Sequence, residues 1–560
     1  MKGFSVRGLE VHSARMWDYT QVMNTLDFME RYGLNTLIFH QNDLLDVLVF
    51  PEEYFPLEYM WKRFPPRYSK VLNNRYYINN IIKQCHARGI KFVPEVKELW
   101  FDEWIVELKP EVRGESGLLC PSHPFWWEYL QTKLDELFEN VPGIDGIIVS
   151  PGTRESKLSI SANRCGCDRC AAMTEAEWNS SLITTMARKL RGLDKSLIVR
   201  DFAFGAHDQT VVLQGVNYLP ENKDVIMSLK NTPHDFYPTF PLNPAIGNSG
   251  HPEWIEFDTW GQFIGNGIFP VSIIEDMAQR MRESYEAGAA GIFLRSDWEN
   301  MDDHCAFSSP NILNTIAGAI LSQNIDADID DIYREWALNY GMLSPLKPAS
   351  FDQKPAPLAD PEKYTYLRDF MKASWQVIEK TLFVRGHLFQ DNSMYPYTME
   401  RCAEIMVKAH SMEEWAPGSS STILPTDENL AALFAEKALA EKEAAALPEI
   451  LKVRELGLPQ DMVEDIEDLL DLYNYYVHCY SLCCKAYFYG LKARTDKSEK
   501  DRAAALAVLD EIMDYSEVVR ARVERGTYTH EIPRMLDYKR LTHLVGNVRA
   551  HLAECFGSKC

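Results

Sequence analysis

The stretch "ERYGLNTLIFHQND" (residues 30–43) holds the unit from which the fold is read. A segment of helical period, "YTQVMNTLDFMERYG" (19–33), closes on Gly33, the residue that commonly ends a helix. "NTLIF" is short and apolar, which predicts a buried strand. His40, Gln41 and Asp43 then crowd its C-terminal end. The same succession recurs in "HARGIKFVP" (86–94), again with a Gly before the strand.

Working outward, the strand candidates are "RGLEVHSAR" (7–15), "NTLIFHQND" (35–43), "IKFVPEVKELW" (90–100) and "IDGIIVSPG" (144–152). Four more follow: "SLIVRDFAF" (196–204), "DVIMSLKN" (224–231), "WIEFDTWGQ" (254–262) and "AGIFLRSDW" (290–298). Eight strands with helices between most of them predict an α/β chain, a (β/α)8 TIM barrel over residues 1–310. A doubly wound sheet would show an early Gly-rich phosphate loop, and the sequence has none. Beyond 310 the strand signal fades. A Pro-rich connector (345–363) leads into amphipathic helices, predicting an all-α domain over 311–560. That domain is expected to pack on the barrel or to form a homodimer.

The 560 residues are 46% hydrophobic and 12% aromatic, with a formal charge of −23. No long Lys/Arg cluster is present, so no nucleic-acid partner is expected. No apolar run approaches the length of a membrane span. The N-terminus lacks a long apolar h-region, and the 12 cysteines show no secreted-scaffold spacing; both set the expectation of a cytoplasmic protein.

A barrel places its active site at the C-terminal ends of its strands. Those ends carry His40, Gln41 and Asp43; Glu95, Lys97 and Glu98; Arg154 and Glu155; Arg200 and Asp201; Lys230 and Asp235; Glu256, Asp258 and Gln262; and Arg295, Asp297 and Trp298. Carboxylates, cations and aromatics mixed in this way suit a carbohydrate. Hydrolysis of a glycosidic bond needs two carboxyl groups astride it, one protonated and one ionised. Glu155, facing Asp235, Glu256 or Asp258 across the mouth, meets that need. Lys230 and Arg200 on neighbouring strands suit an anionic sugar. Arg154, His40, Arg295, Asp297 and Gln262 complete the candidate binding residues. Trp17, Trp100, Trp260 and Trp298 are candidates for stacking on sugar rings. His12, His40 and His123 are candidates for substrate contact or a metal trio.

The segment from 230 to 270 opens with "KNTPHDF" (230–236), continues through "NPAIG" (243–247) and reaches "IEFDTWGQFIGNG" (255–267). Its motifs, in order and spacing, resemble the catalytic region of glycoside hydrolase family 67, the α-glucuronidases, over about residues 144–338. The resemblance implies inverting hydrolysis, without a metal or other cofactor, of a uronic acid from an oligosaccharide. It implies that Lys230 and Arg200 bind the sugar carboxylate, that Asp235 activates water and that Glu155 is the acid. The second base of that family, a Glu, falls on Gln262, which cannot accept a proton at neutral pH.

"NRCGCDRC" (163–170) carries Cys165, Cys167 and Cys170, and "LLCPSHP" (118–124) carries Cys120. Four thiolates would make a structural zinc site, although C-x-C-x-x-C is not the paired C-x-x-C pattern. Free thiols stiffening a loop are the other reading.

Overall fold

A computed structural model of the chain describes residues 2–151, 155–163, 165–201, 210–299, 304–346, 358–409 and 411–557. Eight parallel strands close into a barrel in sequence order. They are β1 (Val6–Val11), β2 (Thr36–His40), β3 (Lys91–Val96), β4 (Gly146–Val149), β5 (Ser196–Asp201), β6 (Ile226–Lys230), β7 (Glu253–Asp258) and β8 (Gly291–Arg295). β1 pairs with β8 to complete the ring, with Glu10 opposite Arg295.

Local signals place the helices between them. The helix Tyr19–Arg31 starts where the Asp18 carboxylate accepts the Gln21 N–H. Thr174 and Glu177 form a capping box at the start of Glu175–Arg191. The Gly stops read from the sequence are real: Gly33 and Gly89 sit at φ 63° and 69°, where other residues are strained. From β6 to β7 the chain crosses through residues 231–252 without a helix. The helix Ile312–Gln323 packs on β8 and β1, so the barrel's last helix lies beyond residue 310.

One apolar side chain from each strand fills the barrel: Val6, Ile38, Val93, Ile148, Ile198, Ile226, Trp254 and Phe293. Truncating one of them, as in Ile148→Ala, would cost about 2–5 kcal/mol through lost burial and the cavity left behind. Strand side chains alternate, so the residues two places further on point the same way. These are Gly8, His40, Glu95, Ser150, Arg200, Ser228, Glu256 and Arg295. The interior therefore changes from an apolar plug to a polar floor within one step along the strands.

The C-terminal domain is built on Tyr364–Leu382, Asp427–Leu451, Gln460–Asp496, Glu499–Arg525 and Tyr538–Phe556. It shares one continuous hydrophobic core with the outer face of the barrel. It also braces the loop after β7. Ser393 Oγ donates to the Gln262 carbonyl at 2.8 Å and accepts the Gly265 N–H at 3.0 Å. The Phe269 ring lies 4.8 Å from that of Tyr473 and 4.4 Å from that of Tyr476. No described helix is long and apolar enough to cross a membrane.

Candidate active site

The floor of the mouth is a buried ionic network. Arg200 Nε and Nη2 donate to the two oxygens of Glu256, both at 2.7 Å, and Nη1 donates to Glu95 Oε1 at 2.6 Å. Ser228 Oγ adds a bond to Glu256 at 2.8 Å. His40 Nδ1 lies 2.9 Å from Glu10 Oε1, and its ring stacks on His12 at 3.5 Å. Arg295 Nη1 donates to Gln262 Oε1 at 3.2 Å, with Glu10 3.6 Å from Nε.

Burial sets the charge states here. Glu10 is pushed up to about 8 by desolvation, then by repulsion from Glu95, so it is mostly protonated at neutral pH. Desolvation also raises Glu95. In Glu256 the same desolvation is outweighed by Arg200, and the net shift is downward. His12 and His40 are driven well below the usual histidine range by burial and by nearby cations, and stay neutral. Burial and Arg200 pull Lys97 down to about 8.

Above the floor stand two carboxylates that solvent reaches. Glu155, with 51% of its side chain exposed, lies 3.4 Å from Lys97, which is 1% exposed. Asp235, 27% exposed, pairs with Lys230, which is 5% exposed. Glu299 joins them at the β8 side, 3.1 Å from His12 Nε2. Lys230 and Arg295 both lie over the Phe236 ring, at 4.9 and 5.2 Å. Phe236 holds φ at 52°, a left-handed conformation that a bulky residue adopts only under constraint. Trp100 and Trp298 stand half-buried, and Arg534 of the helical domain lies 5.2 Å over the Trp298 ring.

Several expected site residues prove to be scaffold. Asp258 accepts the N–H groups of Trp260, Gly261 and Gln262 at 3.2, 3.0 and 2.8 Å, so it caps a turn. Asp297 is fully buried, holding the His12 N–H, the Ser13 hydroxyl and Arg15. Trp260 has no exposed surface and cannot stack on a sugar; a Cβ on Gly267 would overlap its indole. Glu256 is buried with both oxygens engaged by Arg200, so it stands in the floor and not at the solvent-facing rim. Arg200 in turn is bound to protein carboxylates, not poised for a substrate carboxylate. His40 is part of the floor. Gln262 is 7% exposed and orients Arg295. His123 takes no part in a trio; its Nδ1 accepts the Phe125 N–H at 3.3 Å. Trp17 donates its indole N–H to Gln41 at 2.8 Å. Arg154 lies outside the described residues.

The sequence reading did not single out Glu10, Phe236 or Glu299, and named Glu95 and Lys97 only as strand-end charges. Counting by two from the apolar plug residue finds most of them: Val6 leads to Glu10, and Val93 to Glu95 and Lys97. Phe236 and Glu299 follow strands and leave no such trace. The sulfur atoms of Cys120, Cys165, Cys167 and Cys170 come together, all within 4.8 Å of one another.

No protein-family model matches the chain, and no curated protein matches it. Among solved structures, a GH138 enzyme targeting pectin rhamnogalacturonan II superposes with a TM-score of 0.66 at 13% identity, over 100% of this chain and 69% of that one. A GH89 protein from Clostridium perfringens, solved with its substrate GlcNAc-alpha-1,4-galactose, gives 0.50 at 10% identity, over 99% of this chain and 64% of that one. At such identity the likeness shows a shared fold: a (β/α)8 barrel followed by helices, found in glycoside hydrolases.

Proposed function

We propose that this chain is a glycoside hydrolase acting on an oligosaccharide that bears a uronic acid, with Glu155 as general acid and Asp235 as general base. One observation carries the reading: two solvent-reachable carboxylates, each against a buried lysine, follow β4 and β6 around a single barrel mouth. The lysine beside Asp235 favours the ionised form that a base needs. Glu155 takes the acid's role from its position, where the departing chain meets solvent, and not from its charge environment, because Lys97 beside it favours the ionised form just as Lys230 does for Asp235. An inverting reaction follows if a water fits between the two.

The uronic acid rests on the floor's charge. Four buried cations, Lys97, Arg200, Lys230 and Arg295, face three buried carboxyl groups, Glu10, Glu95 and Glu256. Glu10 is mostly neutral at pH 7, so the four cations outnumber the floor's remaining carboxyl groups, Glu95 and Glu256, while Asp235 and Glu155 at the rim pair with two of them. Because Arg200 is committed to Glu256 and Glu95, the clamp on the sugar carboxylate falls to Arg295 and Lys230, which a substrate would have to share with Glu10 and Asp235. The same commitment of Arg200 favours a second reading, a glycosidase for a neutral sugar, with the cations serving only protein carboxylates.

A panel of aldouronic oligosaccharides and their carboxyl-reduced counterparts separates the two. The first reading expects cleavage of the acidic series and a raised KM in Arg295→Gln. Cleavage of the neutral series alone supports the second. Cleavage of neither, at any pH from 4 to 9, sinks the hydrolase reading.

A further inference from the structure

We propose that Cys120, Cys165, Cys167 and Cys170 bind a single structural zinc ion that pins the insert after β4, and with it Glu155, to the loop after β3. The Sγ atoms of Cys120 lie 3.6 Å from Cys167 and 3.7 Å from Cys170, and Cys165 lies 3.5 Å from Cys170. A tetrahedral zinc with Zn–S bonds near 2.3 Å needs sulfurs about 3.8 Å apart, so the cage already has the right size. A disulfide would need about 2.05 Å, and all four residues are free thiols.

The backbone converges on that centre. Gly166, at φ 79°, turns the chain between Cys165 and Cys167 so that both thiols face one point. Gly114 brings the β3 loop so close that a Cβ there would sit 3.0 Å from Cys165 Sγ. Cys170 lies on the short helix Asp168–Ala172, and Cys120 reaches across from 50 residues away.

The surroundings suit thiolates more than neutral thiols. Ser122 Oγ lies 3.1 Å from Cys170 Sγ and 3.4 Å from Cys120 Sγ, and Arg169 Nη2 lies 3.9 Å from Cys120 Sγ. Four thiolates around a divalent ion carry a net charge of −2, of which the Arg169 guanidinium would offset one unit while the Ser122 hydroxyl donates a hydrogen bond to sulfur. An all-sulfur tetrahedral set selects zinc or iron among common ions; zinc adds no redox liability to a purely structural clip. The insert needs such a clip because it buries few apolar side chains of its own, Leu158 and Ile160 among them.

This inference stands apart from the hydrolase reading, since its test measures metal. Untagged full-length protein, purified in reducing buffer after growth with zinc, is expected to hold about one zinc per chain by elemental analysis. Cobalt(II) exchanged into it should give the visible bands of a tetrahedral thiolate site. Cys120→Ser and Cys167→Ser should lose the metal while far-UV circular dichroism is retained. Should those variants not fold, a mercurial titrated into the wild type serves instead, releasing one zinc as four thiols are blocked. Zinc below about 0.1 per chain in the wild type, iron in its place, or full zinc retention in either variant would overturn the proposal.

Discussion

The two sides of the barrel mouth are held by different means. The side after β6 and β7 is braced from behind by the helical domain, through Ser393, Tyr473 and Tyr476. Asp258 caps its turn, and Asn243 Nδ2 donates to the Lys230 carbonyl at 3.1 Å. The side after β4 has no such backing among the described residues; its insert gathers around four thiols. One carboxylate stands on each: Asp235 is 27% exposed and paired with Lys230, whereas Glu155 is 51% exposed and 3.4 Å from Lys97. The proposed base thus stands on the side braced by the helical domain, and the proposed acid on a segment tied to the loop after β3, where Ser156 Oγ donates to the Glu98 carbonyl at 3.0 Å and Lys157 Nζ to the Phe101 carbonyl at 2.7 Å.

The sharpest way to break this comparison is to remove each carboxylate in turn. Asp235→Asn and Glu155→Gln should each lower kcat by about 10²–10⁴-fold, with the folded far-UV circular dichroism spectrum retained. A loss in one variant only would mean that the two sides do not share the chemistry.

Next in size is the floor beneath both. Arg200→Met leaves Glu256 and Glu95 buried without their cation and should cost about 3–5 kcal/mol in denaturant unfolding. A smaller effect is expected from Ser393→Ala, which removes two bonds to the β7 loop and should cost about 1–2 kcal/mol. Its change should appear in hydrogen exchange at residues 258–269 and not at 155–174. Metal removal should do the reverse.

The last test is a pH profile. The folded state holds a proton on Glu10 up to about 8, whereas an ordinary Glu releases it near 4.5. Between those values the fold binds a proton that the unfolded chain lacks, so this contribution declines as pH rises, by at most about 1.4 kcal/mol per pH unit. Lys97 acts in the opposite sense from about 8 to 10.5, because the unfolded chain then holds the extra proton. A stability minimum near pH 8 is expected from the two, and Glu10→Gln should flatten the falling limb.

Much of the fold was legible in the sequence because each unit is local: a capped helix, a Gly stop, then a short apolar strand. The boundary was less so. The last barrel strand ends at Arg295, before residue 310, but the helix that packs on β8 and β1 comes after it. The site was legible only in outline. Strand ends were correctly identified as places for charge, yet Asp258, Asp297 and Trp260 looked as functional as Asp235. Nothing local reveals that three backbone N–H groups converge on Asp258, or that Trp260 faces inward.

The sequence by itself determined the eight-strand alternation, the shift from apolar to polar at each strand's end, and four thiols in two separate loops. These follow from hydrophobic period and turn chemistry, which act over a few residues. Tertiary structure alone decided which charges neutralise one another. Arg200 meets Glu95 across 105 residues and Glu256 across 56, and that pairing turns an expected substrate clamp into part of a buried ionic floor. Barrel closure sets those distances, and an ion pair in a buried site depends on distance far more than on spacing along the chain.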